Sequence, residues 1–331
     1  MPAVSIIVPC YNEEATIKLL LQAIAQQDFP CADMEVIVAD AMSTDRTREE
    51  IAAFQKECPH LKVKVVDNPK QTIPSALNYA LQAAQGTYIV RLDAHSVPIR
   101  EYVSRCMADL QAGRGDNVGG VWEIEPGSSH WVAKSIALAA AHPLGAGDAK
   151  YRIGARAGEV DTVPFGAYCR QTAERLGGYN EDLLANEDYE FNVRLRQQGG
   201  RVWLNPEIRS TYFARPTLGA LARQYWRYGF WKQRMLRAYP KTLRWRQALP
   251  PLFVAGVVFL LLLSFSSALA RILLLLLVLC YGLVLLGASV PLALRQRQAY
   301  LLIGVPVAIM TMHFAWGGGF WWSLISSLVR R

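Results

Sequence analysis

Short apolar runs alternate with amphipathic segments over the first hundred or so residues of the chain. Four runs are rich in β-branched residues, which is typical of buried strands, and they cover residues 4–10, 34–40, 61–67 and 87–93. Between them lie segments in which apolar residues recur with helical spacing, namely 13–27, 44–57 and 72–85. Strands that alternate with helices predict an α/β fold with a mostly parallel central sheet, covered by helices on both faces.

From residue 250 onward the pattern changes to almost continuous apolar sequence. A helix needs roughly 20 apolar residues to cross the hydrocarbon core of a bilayer. Three stretches meet this length, and we expect transmembrane helices at 250–270, 272–294 and 299–325. The third contains Pro306, His313 and three consecutive glycines, which could break it into a shorter helix and an interfacial piece.

The segment before the apolar region mixes cations with tryptophan and tyrosine. This composition over residues 223–249 is typical of an amphipathic helix on a membrane surface that contains anionic lipids. We therefore predict three regions, a folded domain (1–222), an interfacial segment (223–249) and a transmembrane region (250–329). The flanking cations Arg246 and Arg297 would lie on the cytoplasmic side, with Arg271 in an external turn.

The charge distribution and the cysteine content indicate the kind of partner and the redox compartment of the protein. The net charge is +8, but the densest basic run borders the apolar region, so we expect membrane lipids and no nucleic acid as partners. The six cysteines form no CxxC pair, which is typical of reduced thiols in a reducing compartment.

Polar residues follow each predicted strand, where parallel sheets bind their ligands. They are Tyr11, Asn12 and Glu13, then Asp40, Ser43 and Asp45, then Asn68 and Lys70, and finally Asp93 and His95. The first strand is followed by neither the GxGxxG nor the P-loop pattern, so phosphates would need another partner. A carboxylate suits Mg²⁺ or Mn²⁺, and the imidazole favours Mn²⁺. If strand geometry continues past Asp93, its side chain and that of His95 point the same way; the alternative is a capping aspartate and a surface histidine.

Several ordered motifs together resemble a known family. They are VSIIVPCYNEEATI, VIVADAMSTDRT, RLDAH and NEDYEFNVRLRQQGGRV. In this order they resemble the inverting glycosyltransferases of family 2, which have the GT-A nucleotide-sugar-binding fold. AHPLGAGDAKYR, VDTVPFGAYCR and RQYWRYG, with the apolar tail, are similar to bacterial exopolysaccharide transferases of the succinoglycan type. The resemblance covers residues 4 to about 250 closely, and the tail in hydrophobic character.

The resemblance implies roles for individual residues on the donor side. The turn that contains Pro9, Tyr11 and Glu13 would hold the uridine, with Asp40 near the base and Lys70 close to the nucleotide. Asp93 and His95 correspond to the DxD metal motif of the family, and histidine here replaces the second carboxylate.

The resemblance also implies a catalytic general base and a partial match to a signature further along the chain. Asp188 matches the general base, with Glu187 beside it, although both carboxylates would also suit the N-terminus of a helix. Gln224 and Arg227 partly match the QxxRW signature of processive synthases, and Arg227 could add a cation to the diphosphate. Tyr228 stands in place of the signature tryptophan, so we do not infer processivity.

The implied activity is transfer of a hexose, with glucose expected, from a UDP-sugar to a polyprenyl-diphosphate-linked saccharide with inversion, using Mn²⁺ or Mg²⁺. Alternatives are transfer to polyprenyl phosphate, processive polysaccharide synthesis, and a non-catalytic scaffold. The implied localisation is the bacterial inner membrane, multi-pass, with the domain 1–222 facing the cytoplasm.

Overall fold

The computed structural model describes residues 2–329, and this part of the chain forms two compact units. The first unit contains the residues up to Glu123 together with Gly154–Tyr212. The second unit contains Ile124–Ile153 and the residues from Phe213 onward. Each unit is therefore built from segments that are separated in sequence.

One mixed sheet forms the centre of the first unit. Its strands are β1 (Val4–Cys10), β2 (Met34–Asp40), β3 (Lys62–Asp67), β4 (Tyr88–Arg91), β5 (Ser96–Pro98), β6 (Asn117–Pro126), β7 (Gly158–Glu159), β8 (Ala167–Cys169) and β9 (Val202–Ala214). Within residues 2–329 the order is β3-β2-β1-β4-β8-β6-β9-β5, with β7 on β9. The first four strands pair in parallel, as the sequence predicts. The later strands add antiparallel pairs.

Helices connect the strands and continue beyond the sheet. They are α1 (Ile17–Ala25), α2 (Thr47–Glu57), α3 (Ile73–Ala83), α4 (Tyr102–Gln111), α5 (Trp131–Ala141), α6 (Pro143–Ala146), α7 (Lys150–Ile153), α8 (Arg170–Leu176), α9 (Glu187–Gln197), α10 (Leu218–Ala238), α11 (Trp245–Ser264), α12 (Ala268–Gln296) and α13 (Leu301–Val329). The first nine, except α5 to α7, belong to the first unit.

The parallel part of the sheet forms the core of the first unit. Every residue of β2 is buried, and Ile6 and Val8 of β1 are fully buried against Leu20 and Ile24 of α1. Strands covered on both faces need apolar residues at successive positions, which is why these runs show little alternation. Their register aligns Cys10 with Asp40, and Asp40 with Asp67, so the carboxyl ends meet at one edge.

The second unit contains the long apolar helices. Among residues 2–329, three helices are long and apolar enough to cross a membrane, and they are α11, α12 and α13. The amphipathic α10 begins after Thr217, whose hydroxyl accepts a hydrogen bond from the Ala220 amide. The basic and aromatic segment 223–249 therefore lies on this helix, in the turn that follows it and on the first five residues of α11, which begins before the predicted position 250.

Helix α13 is continuous through Pro306 and the glycines at 317–319. A methyl group at Gly317 would lie 2.7 Å from the Pro250 carbonyl oxygen, and one at Gly319 would overlap the Trp226 carbonyl. The glycines therefore permit close helix packing and do not end the helix. His313 of this helix contacts the Tyr281 hydroxyl at 2.9 Å and the Leu144 carbonyl at 2.8 Å.

Candidate functional site

The loops after β1 and β2 are fastened to each other by reciprocal hydrogen bonds. The Asn12 amide donates to the Ser43 hydroxyl at 2.9 Å, and the Thr44 amide donates to the Asn12 side-chain oxygen at 2.9 Å. Asn12 has a φ of 52°, a left-handed conformation that asparagine tolerates well. This turn leaves Tyr11 exposed, with Pro9 half-buried before it. Two of the predicted uridine contacts thus stand at the carboxyl edge of the sheet.

Asp40 is fully buried at the end of β2, and the chain's own groups engage its carboxylate. The Ser43 amide donates to it at 3.1 Å, and Arg48 Nε donates at 2.6 Å. Arg48 also donates to Asp67 at 2.6 Å, so it bridges two adjacent strand ends. The sequence analysis missed Arg48. The usable signal was a cation in the helix that connects two neighbouring strands, each of which ends in an aspartate.

Lys70 forms an ion pair with Glu181 within the first unit. Its ammonium lies 2.7 Å from Glu181, and both side chains are partly exposed. Glu181 also accepts a hydrogen bond from Asn78 at 2.9 Å, and Asn78 bonds the Tyr179 backbone in both directions. Lys70 therefore ties the loop after β3 to the segment that precedes α9.

A buried arginine forms ion pairs with three of the predicted site carboxylates. Arg91 is the last residue of β4, and its side chain is only 4% exposed. Its guanidinium donates to Asp93 at 2.9 Å, to Glu187 at 3.3 Å and to Asp188. The sequence analysis did not single out this arginine. The signal was a cation inside an otherwise apolar strand, which a buried strand admits only where carboxylates neutralise it.

The charges around Arg91 shift the pKa values of this cluster. Burial opposes the charge of Arg91, yet Asp188, Asp93 and Glu187 together raise its pKa, so it remains a cation. Burial raises the pKa of Asp188, Arg91 opposes that rise, and repulsion from Glu187 and Asp93 adds to it. Because Asp188 is buried and three carboxylates share one guanidinium, the pKa of Asp188 lies above its ordinary value.

Asp188 is positioned by an unusual backbone on both sides. It lies in the first turn of α9, directly after Asn186, which has a φ of 67°. The backbone of Phe165, which itself has a φ of 64°, lowers the pKa of Asp188. Its Oδ1 atom makes no hydrogen bond to the described residues, while the side chain as a whole is 22% exposed. Such strained positions often mark functional sites.

Asp93 and His95 do not lie on one continuous strand, which differs from the sequence-based expectation. Strand β4 ends at Arg91, and residues 93–96 form a turn closed by the Ser96 amide and the Asp93 carbonyl at 3.0 Å. The argument from strand alternation is therefore wrong. His95 Nδ1 lies 2.9 Å from a carboxylate oxygen of Glu13. The imidazole therefore has a side-chain partner on the loop after β1.

The residues at this turn fit a divalent cation that arrives with a substrate. Among the described residues, no group of three or more histidine, cysteine or acidic side chains could hold a metal alone. Mg²⁺ and Mn²⁺ at phosphate sites commonly take only one or two protein ligands, with the rest from phosphate and water. A carboxylate on the second nitrogen of a ligating imidazole, as Glu13 provides for His95, is the usual supporting contact.

Gln224 and Arg227 belong to the second unit, on α10. The Gln224 side chain donates to the Tyr228 hydroxyl at 3.0 Å, so the residue that replaces the signature tryptophan is bonded to the signature glutamine. Tyr228 also meets the Trp316 ring edge-on. Two residues of the signature, Gln224 and Tyr228, are therefore hydrogen-bonded to each other.

Comparisons with known proteins agree with these features. A family model described as glycosyl transferase family 2 matches residues 5–175. The succinoglycan biosynthesis protein ExoA of Rhizobium meliloti is 32% identical, over 97% of this chain and 94% of that protein. A Methanococcus voltae protein is 27% identical over 98% of each chain; its name is dolichyl N-acetyl-alpha-D-glucosaminyl phosphate 3-beta-D-2,3-diacetamido-2,3-dideoxy-beta-D-glucuronosyltransferase.

A solved structure has a similar fold. It is the mannosyltransferase PcManGT from Pyrobaculum calidifontis in complex with GDP-Man and Mn²⁺. The TM-score is 0.60, with 22% identity, over 94% of this chain and 87% of that one. At this identity the likeness concerns the fold, and it confirms the architecture that the sequence predicts.

Proposed function

This chain belongs to glycosyltransferase family 2 and has the GT-A fold, and from that premise we propose an inverting hexosyltransferase that uses a UDP-sugar and a lipid-linked saccharide acceptor. The family assignment and the apolar helices establish a membrane-type glycosyltransferase of polysaccharide or lipid-linked glycan synthesis. Glucose is the first donor sugar to test, and GDP-mannose belongs in the same screen because the related solved structure contains it.

The observation that carries the proposal is the convergence of Asp93, Glu187 and Asp188 on Arg91. It brings the two halves of the predicted site together, the metal motif after β4 and the candidate base at the start of α9. Arg91 holds Asp188 by one oxygen, and the second oxygen makes no hydrogen bond to the described residues. A carboxylate held in this way can accept a proton from a bound hydroxyl.

The proposed reaction is a single in-line displacement. The acceptor hydroxyl oxygen forms a bond to the anomeric carbon, the bond from that carbon to the UDP oxygen breaks, and the configuration inverts. Asp188 takes the hydroxyl proton, a contribution of roughly 10²–10⁴ in rate for a positioned base. Glu187 and Asp93 keep Arg91 charged, so the guanidinium orients Asp188 throughout.

Donor binding is assigned to the carboxyl edge of the parallel strands. Asp93 and His95 would hold Mn²⁺ or Mg²⁺, which supplies positive charge to the diphosphate of the leaving group. Pro9, Tyr11 and Glu13 would contact the uridine. The nucleotide roles proposed for Asp40, Lys70, Gln224 and Arg227 follow the family resemblance; because Arg48 engages the buried Asp40 carboxylate, Asp40 would act through that arginine.

Two observations favour a lipid-linked acceptor. Helices α11 to α13 suit a membrane, and the Methanococcus voltae relative is named for a dolichyl-linked acceptor. A polyprenyl phosphate acceptor would give a product with one sugar on one phosphate, and a processive synthase would give long polymer. Product analysis by mass spectrometry separates these alternatives from the proposal.

The decisive variant is Asp188→Asn, which keeps the size of the side chain and removes its basicity. We expect transfer to fall by roughly 10² or more because the base is lost, whereas UDP binding changes little. UDP release from UDP-glucose with Mn²⁺ and a membrane lipid extract measures transfer, and calorimetry measures binding. Asp182→Asn, at an exposed position of the same segment, is the matched control. Near-normal turnover in Asp188→Asn would show that the base is another group.

A further inference from the structure

Two asparagine side chains meet in the interior of the first unit, one helical turn beyond the candidate base. Asn117 of β6 is 2% exposed, and Asn192 of α9 is 1% exposed. The side-chain amide of Asn117 donates to the side-chain oxygen of Asn192 at 2.7 Å. A buried amide is costly unless it is hydrogen-bonded, so this contact fixes both side chains. We call Asn117 and Asn192 the asparagine pair.

The asparagine pair is bonded to a loop that lies elsewhere in the chain. The side-chain amide of Asn192 donates to the hydroxyl of Thr162 at 3.0 Å. Thr162 is half-buried and begins the loop 162–166, which leads directly into β8. Side-chain hydrogen bonds therefore connect β6, α9 and this loop, three segments that are at least 30 positions apart in the chain.

The end of the loop packs against the asparagine pair as closely as a glycine permits. Gly166 has a φ of 89°, which favours glycine, and a methyl group on it would lie 2.5 Å from Asn117 Oδ1. That oxygen is buried and makes no hydrogen bond to the described residues. A buried acceptor without a hydrogen bond lowers stability, so stability alone does not explain why polar side chains occupy this place.

The same loop contacts the group that holds the candidate base. The amide of Arg91 donates to the Gly166 carbonyl at 2.9 Å. The ring of Phe165 lies under the Arg91 guanidinium, whose Cζ atom is 5.6 Å from the ring centroid. The backbone of Phe165 also lowers the pKa of Asp188. The loop 162–166 therefore forms part of the surroundings of both Arg91 and Asp188.

Helix α9 carries both the candidate base and the anchoring asparagine. Asp188 and Asn192 are four positions apart on α9, so their side chains share one face of the helix. Over a single turn a helix moves as one body because its backbone hydrogen bonds fix it. The contact between Asn192 and Thr162 therefore sets where the Asp188 carboxylate lies relative to the loop.

We propose that Asn192, held between Asn117 and Thr162, is a positioning residue of the proposed reaction, and that it fixes the first turn of α9 so that Asp188 faces the acceptor hydroxyl. The inference rests on the proposed function in one respect, that Asp188 is the base. Asn192 acts through Asp188, and no bond is made or broken at Asn192.

The first test removes one hydrogen bond without changing the shape of the side chain. In Thr162→Val the amide of Asn192 loses its acceptor, and we expect kcat to fall about tenfold because small displacements of a catalytic group are costly. The KM for the nucleotide sugar and the UDP affinity should stay within about twofold of wild type, because the donor residues are unchanged. Thr162→Ser keeps the hydroxyl and should restore kcat. Thr172→Val, at a buried threonine of α8, is the matched control and should turn over as the wild type does.

The second test asks whether the effect passes through Asp188. Thr162→Val and Asn192→Ala should each lower transfer no further when they are combined with Asp188→Asn, because the group that they position is already lost. A second loss of about tenfold in the combined variants would overturn the inference, since it would show general damage to the unit. Wild-type kcat in Thr162→Val would overturn it as well.

A third measurement needs no turnover and separates this inference from the proposed function. Hydrogen exchange of the full chain in detergent should be several-fold faster in Thr162→Val for peptides that cover 162–168 and α9, with β1 unchanged and Thr162→Ser like the wild type. If the wild type releases no UDP with any nucleotide sugar and acceptor, the proposed function fails, while this exchange pattern still supports the positioning contact and unchanged exchange overturns it. If Asp188→Asn is impaired but Thr162→Val exchanges and turns over as the wild type does, the inference fails and the function stands.

Discussion

Arg91 lies between three carboxylates, and this arrangement sets how Asp188 responds to pH. Burial raises the pKa of Asp188, Arg91 opposes the rise, and Glu187 and Asp93 add to it. A general base acts in its deprotonated form, so activity is full above its pKa and falls as the pH drops through it. If Asp188 is the base, as proposed, the direction of the shift in its pKa decides at which pH acid lowers the activity.

We predict that the acid limb of kcat/KM lies well above the ordinary aspartate pKa of about 3.9. The measurement is UDP release as a function of pH at saturating Mn²⁺. UDP affinity measured over the same range is the control, since it reports loss of donor binding. An acid limb near pH 4 would mean that Arg91 outweighs burial.

The second prediction at the residue scale concerns the metal. Removal of divalent cations with EDTA should abolish transfer, and Mn²⁺ should restore it better than Mg²⁺ because His95 offers a nitrogen ligand. His95→Asp should shift the preference toward Mg²⁺. The exposed His60 provides the control His60→Asp, which should leave the metal preference unchanged. Full activity in EDTA would contradict the metal role of Asp93 and His95.

At the scale of elements, the glycines of α13 decide how closely helices pack. Gly319 faces the Trp226 backbone of α10 with no room for a methyl group, and Gly317 is close to Pro250 of α11. Helix association in a bilayer relies on such close contact, because lipid removes the hydrophobic driving force between helices. The glycine run is therefore an element of packing and not a break.

We predict that Gly319→Ala destabilises the protein by about 1–3 kcal/mol through overpacking. Thermal unfolding of the full chain in detergent measures the change. Gly282 of α12 has open space around its Cβ position, so Gly282→Ala is the matched control and should unfold at the wild-type temperature or slightly above. Equal stability of the two variants would show that α10 and α13 have room to separate.

At the scale of the whole molecule, the flanking cations predict a membrane orientation. Arg246 lies in the first turn of α11 and Arg297 directly after α12. Arg271 lies in the first turn of α12, not in the turn before it, and donates to the Ser264 carbonyl at 3.1 Å. By the positive-inside rule we expect the larger cation groups on the cytoplasmic side. The catalytic residues would then face the pool of nucleotide sugars.

We predict that Arg271→Cys is labelled by a membrane-impermeant maleimide in intact bacterial cells, whereas Arg297→Cys is labelled only after lysis. A Cys280→Ser background removes the cysteine of α12, which lies in a predicted span. The protein should also stay with the inner membrane after carbonate extraction. The reverse labelling pattern would place the glycosyltransferase domain outside the cytoplasm.

The sequence alone determined the family, the parallel strands β1 to β4 and the apolar helices. These features depend on local periodicity, on composition and on motifs whose residues are close in the chain. The candidate residues Asp93, His95, Glu187 and Asp188 followed from the motifs for the same reason. Strands β5, β7 and β8 were missed because they are only two or three residues long, too short for a period to be visible. Strands β6 and β9, of 10 and 13 residues, were long enough to be found and were also missed.

Only the tertiary structure decided which groups meet. The contact of Arg91 with Asp188 joins residues 97 positions apart, that of His95 with Glu13 joins residues 82 apart, and Arg246 meets Asp148 across a similar distance in the chain. A local pattern carries no information about such partners, because their energies depend on the folded arrangement and on burial. The same limit applies to the turn after β4, where contacts to the rest of the unit override the strand geometry that the local sequence favours.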